Sequence, residues 1–193
     1  KDEVTAEVSR RLFARAGTVE ALARLTVAEL ERLIYPVGFF RNKARFLSEL
    51  PKALHERFGG MVPDTIDALV SLPGVGRKTA NLVVAVAFDK PALCVDTHVH
   101  RIMNIWGYVE TSSPLETEMT LRRTLPERHW LQVNSLLVAF GQSLCRPVSP
   151  HCDVCPLQGR CPQIGVTPRK IMKNKPGNGP RPLRFISWNV NGI

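Results

Sequence analysis

Two sets of residues in this 193-residue chain are of types and spacings that could do chemistry. The first is Lys78 with Asp96. A neutral lysine amine is a nucleophile that can attack a sugar C1′ and form a Schiff base. Free lysine titrates near about 10.4, so such a residue needs desolvation or nearby positive charge; Arg77 and a helix N-terminus are both at hand. Asp96 follows an apolar run and precedes Thr97-His98-Val99-His100-Arg101. A carboxylate there can stabilise a developing oxocarbenium ion or move a proton. The plainer readings are a phosphate-contacting lysine and a helix N-cap aspartate.

The second set is Cys145, Cys152, Cys155 and Cys161, spaced C-x6-C-x2-C-x5-C. Four thiolates so close together indicate a metal centre, and the spacing leaves both tetrahedral zinc and a four-iron cluster open. Prolines 147, 150, 156 and 162 stiffen the loops between them. The fifth cysteine, Cys94, stands apart in an apolar run and reads as a small core residue. His98 and His100 read as structural, because no acidic or cysteine cluster adjoins them. A secreted disulfide framework would spread its cysteines through the chain and would expect a signal sequence. The first stretch is instead charged and amphipathic.

Helices must position these groups. Val4, Val8, Leu12 and Phe13 lie at helical spacing from a start near Asp2. Gly17-Thr18 ends that helix, and Thr18 caps a short one through Leu25. Thr26 and Glu29 have capping-box spacing for a helix ending near Ile34. A longer helix is predicted over 42–58, bent at Pro51 and stopped by Gly59-Gly60. Asp64 or Thr65 caps a helix to Ser71. Further helices are expected over 77–88 and 97–106, from Ser113-Pro114, and over 127–144. Ala92-Leu93-Cys94-Val95 could be extended but has no partner strand. The fold class expected is all-α.

Leu72-Pro73-Gly74-Val75-Gly76-Arg77 forms the turn before Lys78. Its glycines permit positive φ and close approach of another molecule. Free N–H groups there and at the helix start can face a phosphate, which is helix-hairpin-helix chemistry: sequence-neutral gripping of a DNA backbone. An ordinary turn between helices is the bland alternative. Charge adds little. The net charge is +9, but six basic residues and no acids lie in 166–193, leaving +3 for residues 1–165. No apolar run is long enough to cross a bilayer.

LPGVGRKTAN, VDTHVHRI and the four-cysteine loop, in that order, resemble the endonuclease III family of DNA glycosylases. IYPVGFFRNKA and LLVAFGQSLC are most similar to its eukaryotic-type branch acting on thymine glycol. The resemblance covers roughly residues 1–165. It implies a helix-hairpin-helix six-helix barrel domain over 1–91 and a helical [4Fe–4S] domain over 92–165. It also implies Lys78 as the Schiff-base lysine, Asp96 as the catalytic aspartate, and Cys145, Cys152, Cys155 and Cys161 as cluster ligands. Leu72, Pro73, Gly74, Val75, Gly76, Arg77 and Arg146 are the expected DNA contacts. The implied activity is base excision repair: removal of oxidised pyrimidines from duplex DNA and β-elimination at the abasic site. Rivals are a non-catalytic DNA-binding module, a zinc-stabilised scaffold and an adenine glycosylase of the same fold; the last generally lacks a lysine at the position of Lys78.

The family carries about one further helical segment before the position of Lys1, with a glutamine that helps fill the gap left by a flipped base; both are expected to be missing here. The Cys145–Cys152 loop is less basic than usual. Residues 166–182 read as a basic Pro/Gly linker. Residues 183–193 resemble the opening strand of exonuclease III-type AP endonucleases, with Asn189 at an active-site asparagine position. This implies a fused endonuclease; a chance β-prone tail, or a join made when the sequence was assembled, is the alternative. A monomer is expected, without membrane attachment. The expected location is cytoplasmic and nucleoid-associated in a prokaryotic host, nuclear or mitochondrial in a eukaryotic one.

Overall fold

Side-chain caps at Thr18, Thr26, Asp96 and Ser113 set four helix starts in the computed structural model, which describes residues 2–169. α1 (Asp2–Arg15) buries Val8 and Leu12, and Ala16 just after its end continues the same spacing of four. Phe13 was expected on that face. One position on from Leu12, it is rotated about 100° and stays largely exposed. Thr18 caps α2 (Val19–Ala23) by accepting from the Ala21 N–H. Thr26 and Glu29 form the reciprocal capping box of α3 (Val27–Ile34).

α4 (Phe40–Phe58) begins two residues before the expected start and contains Pro51. Gly59, in the left-handed region, closes it. Thr65 precedes α5 (Ile66–Val70) without a side-chain cap bond, while Asp64 pairs with Lys90. α6 (Arg77–Ala87), α7 (Thr97–Ile105) and α8 (Pro114–Thr124) follow closely where the sequence places them. The last long helix does not begin at Glu127. After Pro126 the chain makes one 3₁₀ turn, Glu127–His129, and α9 (Trp130–Ser143) then starts.

Three apolar cores lie along the chain. Val8, Leu12, Leu30 and Ile34 join α1, α3 and the start of α4. Leu54, Leu69, Leu72, Ala80, Val84 and Ala92 join α4, α5 and α6. Leu93, Val95, Val99, Ile102, Leu121 and Leu137 join α7, α8 and α9. Ala92 packs with the second core and Leu93 with the third, so the buried segment 92–95 crosses between them. It has no strand partner, and no strand occurs among the described residues.

Residues 145–169 form loops and one 3₁₀ turn, Cys152–Val154. Val166 to Arg169, expected to open the linker, instead belong to this structure: the Arg169 N–H donates to the Pro150 carbonyl and its guanidinium pairs with Asp153. The rest of the linker and the endonuclease-like strand at 183–193 lie outside the described residues. No described helix is long and apolar enough to cross a membrane.

Candidate active site

The hairpin forms because each turn closes on its own backbone. Leu72 N–H bonds the Leu69 carbonyl, and Val75 N–H bonds the Leu72 carbonyl. Gly74 holds φ +73°, and a Cβ added there would stand 2.7 Å from Phe46 Cβ of α4. Glycine is therefore required twice over, for its backbone angle and for the space. Gly76 then starts α6 with no side-chain cap, which leaves first-turn N–H groups at the helix end free of a side-chain acceptor.

Lys78 occupies that first turn. Its Nζ lies 3.6 Å from Asp96 Oδ2, with the lysine side chain 56% exposed and the aspartate side chain only 9%. Asp96 is the N-cap of α7: its Oδ1 accepts the backbone N–H groups of His98 and Val99, each at 2.9 Å. The two oxygens thus have separate duties. Oδ1 holds the helix start, and Oδ2 faces the amine. The carboxylate therefore serves as the helix cap through one oxygen and leaves the other turned toward the lysine.

Around the pair lies a buried polar network that sequence reasoning missed. Glu118 of α8, 3% exposed, accepts from Arg77 Nε at 2.8 Å and Nη2 at 3.1 Å. It also accepts from Arg122 Nε at 2.9 Å. Arg122 Nη2 donates to Asn81 Oδ1 at 2.8 Å, and Asn81 Nδ2 donates to the Arg77 carbonyl at 3.0 Å. Arg122 also stacks over the Trp130 ring. The Arg77 fork, expected to face DNA phosphate, is turned inward onto Glu118. The arginine cannot be spared for phosphate without baring a buried carboxylate. The only sequence signal was the i,i+4 spacing of Glu118 and Arg122.

Cys94 is buried beneath the site, with its Sγ 3.7 Å from the Lys78 carbonyl. Burial, eased by Lys78 and reinforced by Asp96 and Glu118, pushes its thiol up to about 11. The histidines are structural in their contacts. His100 Nδ1 bonds Thr117 Oγ1 at 2.7 Å. The His98 ring packs against Gly141 of α9, where a Cβ would collide with it.

The four clustered cysteines line one cavity, backed by Ile105, Trp106, Phe140 and Leu144. Burial, then the proximity of Cys145, Cys155 and Cys161, raises the Cys152 thiol above its ordinary value. Among the described residues, no three His, Cys, Asp or Glu side chains converge on a single ion position. Arg101 of α7 donates to the Cys145 carbonyl, and its Nη1 lies 3.6 Å from the Cys145 sulfur. Arg146 is exposed on a separate groove with Tyr108 and Val148, which neither Lys78 nor Asp96 lines.

Phe39 is a second residue the sequence did not single out. It precedes α4 at φ +58°, a left-handed conformation unusual for a bulky side chain, and is 84% exposed.

Residues 1–127 match the HhH-GPD superfamily of base excision DNA repair proteins. The chain belongs to this superfamily. It is 46% identical over 161 residues to Endonuclease III of Thermotoga maritima, a match covering 83% of this chain and 76% of that protein. With Endonuclease III-like protein 1 of Mus musculus it shares 46% identity over 165 residues, 84% of this chain and 55% of the mouse protein. Among solved structures, a trapped endonuclease III–DNA covalent intermediate superposes with a TM-score of 0.79 at 40% identity, over 84% of this chain and 77% of that one. A thermostable thymine-DNA glycosylase superposes at 0.69 with 25% identity, over 80% and 73%. The HhH-GPD chain described here is of the endonuclease III type, a DNA glycosylase and lyase of base excision repair.

Proposed function

We propose that this HhH-GPD protein binds damaged duplex DNA, removes oxidised pyrimidines and cleaves the resulting abasic site, with Lys78 as nucleophile and Asp96 as its acidic partner. The observation that carries this reading is the 3.6 Å approach of Lys78 Nζ to Asp96 Oδ2 at the uncapped start of α6. The N–H groups of Gly74, Gly76 and the start of α6 grip phosphate, and the target nucleotide turns out of the stack. Phe39 is the wedge suited to the vacated space: an exposed aromatic ring, two helical turns before the Phe46 that packs under the hairpin. Arg146 serves as a peripheral phosphate contact.

The chemistry then follows from the pair. Lys78 attacks C1′ as neutral amine, the C1′–N bond breaks, and the base leaves with the bonding electrons and takes up a proton. Asp96 Oδ2 stabilises the positive charge that develops on the sugar. The amine loses one proton, and the C1′–O4′ bond opens with O4′ taking up a proton, giving the protonated Lys78 imine. Loss of a C2′ proton to a base then expels the 3′ phosphate by β-elimination. Hydrolysis of the imine frees the lysine.

The residues present fit a [4Fe–4S] cluster held by Cys145, Cys152, Cys155 and Cys161. Four thiols around one cavity with an apolar back wall suit a cluster that assigns one thiolate to each iron. When bound, the cluster supplies cross-linking of these loops and takes no part in the steps above. Turnover tests the function: a duplex carrying thymine glycol should be nicked, and an undamaged duplex should not. Nicking of neither would leave a DNA-binding module only.

A further inference from the structure

We propose that Glu118 is a positioning residue for the amine nucleophile: its buried carboxylate clamps Arg77, the neighbour of Lys78, to α8 and so holds Lys78 against Asp96. The proposal rests on the reading of Lys78 and Asp96 as the reacting pair.

A buried carboxylate is a costly way to join two helices, since apolar side chains of the same volume often stabilise as well or better. What it provides is direction. The planar Arg77 fork meets both oxygens of Glu118, which fixes the guanidinium in two dimensions. The network repeats one turn along each helix. On α6, residues 77 and 81 are tied; on α8, residues 118 and 122. Two attachment points one turn apart on both helices prevent α6 from rotating about its axis or sliding along α8. α8 packs in turn on α7, whose N-cap is Asp96.

Geometry makes the consequence specific. Successive residues on a helix point about 100° apart. With Arg77 locked onto α8, Lys78 is aimed at the other side of the first turn, where Asp96 Oδ2 lies 3.6 Å from its amine. More than half of the lysine side chain is exposed, and its stem is flexible. Its own contacts do little to hold it, so the helix must aim it. Arg77 is therefore an internal strut, and its neighbour is the reagent.

The test is single-turnover borohydride trapping on saturating abasic-site duplex, measured with the dissociation constant for DNA and the melting temperature. Glu118→Gln should slow trapping roughly ten-fold or more, as misplacement by about 1 Å does, while DNA affinity stays within about two-fold. Arg77→Gln should do the same. The double variant should be no slower than either single one, because all three release one clamp. Leu30→Ala, remote in the first core, controls for stability: at a matched fall in melting temperature it should trap at the wild-type rate per folded molecule. If Glu118→Gln does not fold, Arg77→Gln reports on the same clamp.

Trapping by Glu118→Gln within about two-fold of wild type overturns the proposal, as do losses that multiply in the double variant. So does a loss no greater than that of Leu30→Ala. Lys78→Gln, run in parallel, separates the two levels. If it still traps, the reading of the lysine itself falls. If it does not trap and Glu118→Gln is unaffected, only the positioning role falls.

Discussion

The lysine–aspartate site and the cysteine loops are held in opposite ways. Lys78 and Asp96 stand at the starts of two helices whose inner faces are packed in apolar cores, and a buried salt network ties α6 to α8. Between Cys145 and Arg169, by contrast, Pro150 alone is buried. That segment is joined to the helices by scattered bonds: Arg101 to Cys145, the His151 N–H to the Leu144 carbonyl, and the Ile164 N–H to the Ile105 carbonyl. Packing builds the first region. The second buries little of itself; on the cluster reading proposed above, its order comes from what its four thiols hold. The approach of Lys78 to Asp96 thus rests on helix packing, while the loops beside it do not.

The largest effect expected from this contrast is on the loops. Cys155→Ser in the cluster-loaded protein should abolish ordered structure over 145–169 and leave α1 to α6 protected, as read by hydrogen exchange. Equal loss of protection in α1 to α6 would show that the two regions are one cooperative unit.

Next is Asp96→Asn. Asparagine caps a helix about as well as aspartate, so the melting temperature should hardly move. Base release should nevertheless fall by roughly 10²-fold or more, because the charge facing the amine is gone. A parallel fall in stability and rate would reduce Asp96 to its capping role.

Gly74→Ala should cost about 1–3 kcal/mol from backbone strain, with more from the collision with Phe46, and should weaken binding to undamaged DNA as well as damaged. Denaturant unfolding and a binding titration check both. An alanine variant as stable as wild type would contradict the hairpin geometry.

The smallest effect concerns Cys94. Its thiol is raised by burial from a free thiol's 9.0 to about 11, so the folded protein keeps it protonated where the unfolded chain ionises. This contribution is complete below pH 9 and is lost as pH rises toward 11. Cys94→Ala should flatten that part of the stability-against-pH curve by a small amount; an unchanged curve would mean the thiol is more accessible than its burial indicates.

Much of this was readable from sequence because the signals were local. The Thr26–Glu29 box, Gly59, the Ser113 cap and the hairpin glycines each act within a few residues, and their helices begin or end where those signals place them. Lys78 and Asp96 stood out in the sequence through their flanking motifs, although their approach across two helices did not. Glu118 was missed because its partner Arg77 lies 41 residues away. A glutamate on an amphipathic helix ordinarily faces water, and nothing local marks one that does not. Phe13 and Phe39 escaped for the converse reason: apolar type does not reveal which face of a helix, or which loop, leaves a ring exposed.

The central claim is that Lys78 is the amine that bonds to the sugar. Borohydride reduction of the protein on an abasic-site duplex, followed by proteolysis and mass mapping of the adduct, tests it most directly. The adduct should fall on Lys78 in the peptide spanning Gly76 to Ala80. An adduct on another lysine or on a terminal amine, with Lys78 unmodified, would contradict the account.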